Sequence, residues 1–258
     1  MKCAPIIPWP GGKRRLAKQL FPLFDNTHKT YIEPFAGAAA MLFLREHPAR
    51  AEVLNDINGD LVNLYRCVQH HLDELVRQFR WQLCSREEFS RLLKSPPETL
   101  TDIQRAARFI YLQKTAFGGK MSGQTFGVDK SGPAGINLLR LEEELSAAHL
   151  RLARVTVENL PWQDVMRRYD SDAAFFFMDP PYWQMAGYAV PFGIEQYEQL
   201  AATMRRMKGR ALLTVNDHPD MRSVFEGLAI KRLTIKYSLA ASAEAKSKVS
   251  GELVIRNY

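Results

Sequence analysis

The sequence predicts an α/β protein: a mostly parallel, Rossmann-like sheet with an antiparallel hairpin at one edge and a helical insertion. Three observations predict it. Short apolar runs alternate with segments of helical period, the pattern of strands joined by helices that cover a sheet. The run Phe175-Phe176-Phe177-Met178 is apolar throughout, as a strand buried on both faces must be. The stretch from about Gly59 to Leu150 carries almost no strand signal and reads as an insertion. The expected division is therefore 1–58 with 151–258 as one unit and 59–150 as a helical subdomain.

Gly11-Gly12 precede a helix expected through Leu16, Leu20 and Leu23. Tyr31-Ile32 reads as a short strand, followed by a small-residue turn and a helix from Met41 to Leu44. Glu52-Val53-Leu54 is a second strand. Leu61, Leu64, Tyr65, Val68, Leu72, Leu75 and Phe79 follow one helical period, and Ile103, Ala106, Ala107, Ile110 and Tyr111 another. From about Ala116 to Asn137 the period fails and glycines accumulate; so long a loop in a compact fold is usually functional or disordered. A helix (Leu138 to Leu150), a strand (Val155 to Val157) and a helix through Val165 lead to the apolar strand. A helix from Glu195 to Met207, a strand Ala211 to Val215 and a short helix follow. Two closing β-like runs, Ile230–Tyr237 and Leu253–Ile255, form the expected edge hairpin.

With 258 residues the chain buries a sizeable core without disulfides; its three cysteines lack CxxC spacing and read as reduced and intracellular. No segment reads as a secretory h-region or a membrane span, and His70-His71 point in different directions on a helix, so no metal is expected. The formal net charge of +7, spread over clusters such as Lys13-Arg14-Arg15 and Lys246 with Lys248, favours a polyanionic partner. A cytoplasmic monomer is expected.

Three motifs carry chemistry. Asp179-Pro180-Pro181-Tyr182 ends the apolar strand. The prolines have no N–H and fix φ, so the turn is stiff and presents a carboxylate, a carbonyl and a ring where ligands meet open α/β sheets. That platform suits a planar substrate bearing an NH₂ group. Glu33-Pro34-Phe35-Ala36-Gly37-Ala38-Ala39 follows the first strand; its small residues let a ligand approach the backbone. Asp56, at the end of the next strand, is placed to bind both hydroxyls of a ribose. Trp9-Pro10-Gly11-Gly12-Lys13 sets an amine at a helix start, where the dipole disfavours it and a ligand carboxylate would welcome it; Trp9 is placed to pack over a cofactor.

Together, and in this order, the motifs resemble the Dam-like family of adenine-specific DNA methyltransferases that use S-adenosylmethionine, and the resemblance covers nearly the whole chain. It implies that 1–58 and 151–258 bind the cofactor and that 59–150 recognises double-stranded DNA. It implies cofactor contacts from Trp9, Lys13, Glu33, Phe35, Gly37, Asp56 and Asp179, with Asp56 on the ribose and Lys13 on the methionine carboxylate. Asp179, Pro180, Pro181 and Tyr182 become the catalytic set. The target adenine is flipped out, its amino hydrogens go to Asp179 and the Pro180 carbonyl, and its ring stacks on Tyr182. The family usually has a second glycine where this chain has Ala39.

The Gly-rich segment occupies the family's recognition-loop position. Lys114, Phe117, Lys120 and Ser122 there, with Lys246 and Lys248 in the closing hairpin, are the expected DNA contacts; Phe117 is the wedge for the vacated stack. Members that methylate GATC carry Asn-Arg-Tyr-Gly-Tyr-Asn-Gly and then a guanine-reading arginine. Here Gln113-Lys114-Thr115-Ala116-Phe117-Gly118-Gly119 stands instead, and Ser122 takes the arginine's place. A hydroxyl cannot make a bidentate guanine contact, so a target other than GATC, or a relaxed one, is expected. The alternatives are amino methylation of cytosine, RNA adenine or a glutamine side chain, and a decayed fold that only binds DNA.

Overall fold

The computed structural model describes residues 3–127, 136–185, 191–235 and 250–258. Seven strands form one sheet: β1 (Thr30–Glu33), β2 (Ala51–Asn55), β3 (Val155–Glu158), β4 (Ala174–Met178), β5 (Arg210–Asn216), β6 (Ala229–Ile235) and β7 (Ser250–Arg256). Their order is β3-β2-β1-β4-β5-β7-β6. The first five pair in parallel, and β7 runs antiparallel to both β5 and β6. This is the Rossmann-like sheet with an antiparallel edge that the sequence predicts.

β4 lies near the centre, beside β1 and β5, and all five of its residues are buried. Side chains alternate across it. Phe175 and Phe177 pack into a core with Leu20, Phe24, Leu64, Tyr65 and Leu145, while Phe176 and Met178 join Ile32, Val165, Tyr197, Leu200 and Met204 on the other face. The centre of the sheet is also its switch point. From β1 the order runs outward to β2 and β3; from β4 it runs the other way to β5. The crevice between the carboxyl ends of β1 and β4 is where such sheets take ligands.

Between β2 and β3, among the described residues, the chain is helical: Gly59–His70, Leu72–Arg77, Arg86–Lys94, Asp102–Thr115 and Leu138–Leu152. Their apolar sides share the core that holds Phe175 and Phe177. Two expectations are corrected. The period from Leu61 to Phe79 is two helices, because His71 leaves helical geometry (φ −134, ψ 36). The helix expected through Leu16, Leu20 and Leu23 is three short pieces, Lys13–Arg15, Ala17–Leu20 and Phe21–Leu23, the last containing Pro22, which has no N–H to continue the ladder.

Candidate active site

Two corners face each other across the crevice. The first follows β1. Ala36 N–H donates to the Asn55 carbonyl at 2.8 Å, and the Asn55 amide donates to the Pro34 and Leu160 carbonyls at 2.9 and 3.0 Å. Asp56 accepts from Gly37 N–H on one oxygen and from Asn58 N–H on the other, both at 2.9 Å. Tyr65 OH donates to the Gly37 carbonyl at 2.6 Å. Gly37 has φ +48, and a Cβ there would lie 2.6 Å from Trp9 Nε1. Only glycine satisfies both the backbone and the indole above it. Ala39 also adopts a left-handed conformation (φ 50, ψ 40), one that favours the glycine usual at that position and costs alanine about 1 kcal/mol.

Glu33 is buried at this corner. It accepts from Tyr31 OH and from Leu42 N–H, both at 2.8 Å, so its carboxyl group caps the helix Ala40–Leu44. Burial pushes its pKa up to about 8 against those hydrogen bonds. Burial also raises the Asp56 pKa, opposed by N–H bonds from Asn58, Gly37 and Ile57.

The second corner follows β4. Asp179 Oδ1 lies 2.6 Å from Lys13 Nζ and accepts from Thr214 Oγ at 2.9 Å. Burial raises the Asp179 pKa, and Lys13 and then Thr214 pull it back. Lys13, itself 3% exposed, also donates to the Gly11 carbonyl at 2.8 Å and stands 4.5 Å from the centre of the Tyr182 ring. Tyr182 OH donates to Glu252, and Tyr197 OH donates to the Pro181 carbonyl, so a carboxylate from β7 and a hydroxyl from the helix Ile194–Arg206 pin the proline turn.

Both corners open into one cavity of about 290 Å³, lined by Trp9, Phe35, Gly37, Asp56, Trp162, Phe192 and Asp179 among others. Glu33, Lys13 and Pro181 also reach its wall. Aromatic walls with a few convergent carboxylates suit a flat, polar-edged ligand.

A family model described as D12 class N6 adenine-specific DNA methyltransferase matches residues 9–239. The chain belongs to this family. It is 26% identical to the type II methyltransferase M.CviBI of Paramecium bursaria Chlorella virus NC1A, over 98% of this chain and 99% of that protein. It is also 26% identical to the DNA adenine methylase of Haemophilus influenzae, over 99% and 94% of the two chains. Its identity to the Escherichia coli K12 DNA adenine methylase is 24%, over 97% and 94%. The protein is a site-specific adenine DNA methyltransferase. Its substrate is DNA and its chemistry needs a methyl-donor cofactor.

The recognition-loop candidates of this methyltransferase separate in space. Ala116 and Phe126 form an antiparallel bridge, closed by Phe117 N–H to the Thr125 carbonyl and Gly127 N–H to the Thr115 carbonyl, both at 2.8 Å. The loop between them exposes Phe117 (64%), Lys120 and Ser122. Gly119 rests on Pro8, next to Trp9, and Met121 reaches the cavity wall, so the loop borders the cavity. Lys114 is different: it is mostly buried and paired with Glu144 at 2.8 Å, its charge already matched inside the protein. Lys246 and Lys248 lie outside the described residues. No helix among the described residues is long and apolar enough to cross a membrane.

Sequence reasoning assigns no role to Thr214, Glu252, Tyr65, Tyr197, Asn55 or Trp162, although Asn55 and Glu252 lie in the stretches 54–58 and 246–253, which also resemble the family. Glu252 had a signal: a carboxylate directly before Leu253-Val254-Ile255 in a strand. The other five look like ordinary strand or helix residues until the sheet brings them to the crevice.

Proposed function

We propose that the cleft binds S-adenosylmethionine and presents its methyl group to an adenine flipped out of double-stranded DNA, in the cytoplasm, by a monomer. The observation that carries this is that Asp179 and Asp56 line one cavity, at the carboxyl ends of β4 and β2, the two strands that flank β1. The residues fit the cofactor. Asp56 accepts from the backbone N–H groups of Gly37, Asn58 and Ile57 and keeps acceptor capacity for the ribose. Gly37, lacking a Cβ, lets the Trp9 indole close over the turn, and Trp9, Phe35 and Trp162 supply apolar faces. Glu33 helps indirectly, by fixing the turn. When bound, the cofactor supplies an electrophilic methyl group.

The chain's own residues do the rest. Asp179 and the Pro180 carbonyl accept the two hydrogens of the adenine amino group, so that its nitrogen rehybridises and turns its lone pair outward. Positive charge grows on that nitrogen as the new bond forms, and a fixed carboxylate and carbonyl stabilise it. The stiffness of the proline turn, pinned through Tyr197, keeps these acceptors in place. In the structure Lys13 occupies Asp179 and covers Tyr182. Displacing that ammonium would therefore open the acceptor and the stacking ring in one movement. Phe117 fills the gap left in the duplex, and Lys120 meets a phosphate.

With Ser122 exposed on the loop where a guanine-reading arginine would be needed, the target is a sequence other than GATC or a relaxed set. Expression in a methylation-free host followed by mapping of modified bases tests the proposal. N6-methyladenine outside a strict GATC context is expected; uniform GATC methylation, or methylated cytosine in its place, would contradict it.

A further inference from the structure

Glu252 lies mid-strand in β7, opposite Asn216 of β5 and Leu233 of β6, and is 1% exposed. A carboxylate buried among apolar neighbours needs partners. It has two on one oxygen: Tyr182 OH donates to Oε1, and Lys13 Nζ stands 3.6 Å from it. The same ammonium is 2.6 Å from Asp179 Oδ1. One buried cation thus sits between two carboxylates, pressed against the one that the chemistry requires and within reach of the other.

We infer that Glu252 is a positioning residue: it receives the Lys13 ammonium when the substrate's amino group takes Asp179, so that Asp179 is released without leaving a buried cation unmatched. This rests on the methyl-transfer reading above. The movement is small. Closing the 3.6 Å gap to a charge-assisted hydrogen bond of about 2.8 Å shifts Nζ by less than about 1 Å. Glu252 also sets the field. With both carboxylates ionised, the Lys13–Asp179–Glu252 cluster carries net negative charge, which favours the cation forming on the adenine nitrogen; a neutral Glu252 removes that bias.

The group is placed to titrate in the working range. Burial raises its pKa to about 7; Lys13 opposes the rise and Asp179 adds to it. Among the described residues the titratable groups facing it are Lys13, Asp179 and Tyr182, and its flanking-strand partners Asn216 and Leu233 carry none. Below that pH Glu252 is protonated, holds the ammonium poorly and leaves it on Asp179.

Glu252→Gln and Glu252→Asp, compared with wild type in single-turnover methyl transfer to DNA across neutral pH, test this, with thermal melting and cofactor binding measured alongside. The wild-type rate constant should rise through about pH 7. Glu252→Gln, which still accepts from Tyr182, should be about 10- to 100-fold slower and lack that rise, with cofactor affinity within about threefold of wild type. Glu252→Asp should keep the rise. A folded Glu252→Gln with the wild-type rate and profile would overturn the inference. So would equal losses in both variants with no change in profile, the mark of a purely structural residue. If wild type itself transfers no methyl group to DNA adenine, the underlying reading falls too; if it does and the variants behave as wild type, only the role of Glu252 falls.

Discussion

The corner after β4 and the loop between Ala116 and Phe126 lie side by side but are built on opposite terms. Asp179 follows five consecutive buried residues of β4, and its turn is tied to Thr214, Lys13, Glu252 and Tyr197, all from other parts of the chain. Phe117 sits on a glycine-rich loop closed by one backbone bridge, with its ring exposed. The first arrangement makes reacting geometry a consequence of the core: misplacing the carboxylate means deforming the sheet. The second leaves exposed loop side chains open to change at little cost to the fold.

If that contrast is right, substitutions in either packed corner of the cavity should cost both fold and function, and substitutions on the loop should cost function alone. The largest effect after loss of Asp179 itself is expected at Gly37. Gly37→Ala adds a Cβ 2.6 Å from the Trp9 indole at a positive φ. It should destabilise the protein by about 2 kcal/mol and weaken cofactor binding more than about tenfold, by melting and calorimetry. Unchanged cofactor affinity would separate Trp9 and Gly37 from the cofactor site.

Phe117→Ala should move the melting midpoint little, since an exposed side chain contributes within about 0.5 kcal/mol. It should weaken productive DNA binding by about 1–3 kcal/mol, read as a raised KM for DNA. An unaltered KM would remove Phe117 from the interface and blur the contrast drawn here.

The smallest effect is a matter of pH. Glu33 has a folded pKa of about 8 against an ordinary 4.5. Its protonated form is the one that the fold prefers, so its contribution to stability is complete below the ordinary value and is lost as pH rises through the folded one. Wild-type melting temperature should therefore fall between about pH 5 and 9, and Glu33→Gln, neutral throughout, should flatten part of that fall. Glu252, also raised, contributes in the same direction and leaves a residual slope. A Glu33→Gln protein with the full wild-type slope would show that Glu33 is not the group responsible.

Much of this was legible in the residues because it is local. An apolar run, two prolines and a carboxylate specify a buried strand and a rigid turn without reference to the rest of the chain, and Gly37 and Asp56 follow consecutive strands that pair in parallel. What escaped was of two kinds. Some local signals were passed over: Ser85 accepts from Glu88 N–H at the start of the helix Arg86–Lys94, and that spacing is visible in the sequence. Others are long-range by nature. Lys13 and Glu252 come from opposite ends of the chain and meet only because β7 inserts between β5 and β6. The pairing of Lys114 with Glu144 on the helix Leu138–Leu152 is likewise long-range and has no local signal.

The central claim is that the Asp179 carboxylate does its work in the methyl-transfer step itself. Single-turnover transfer from labelled cofactor to DNA, measured for Asp179→Ala and Asp179→Asn beside wild type with cofactor and DNA affinities in hand, tests it most directly. The chemical step should slow by about 10³-fold or more in Asp179→Ala and less in Asp179→Asn, whose amide oxygen still accepts one hydrogen, while both proteins melt as folded units. A folded Asp179→Ala that transfers methyl groups at near the wild-type rate would contradict it.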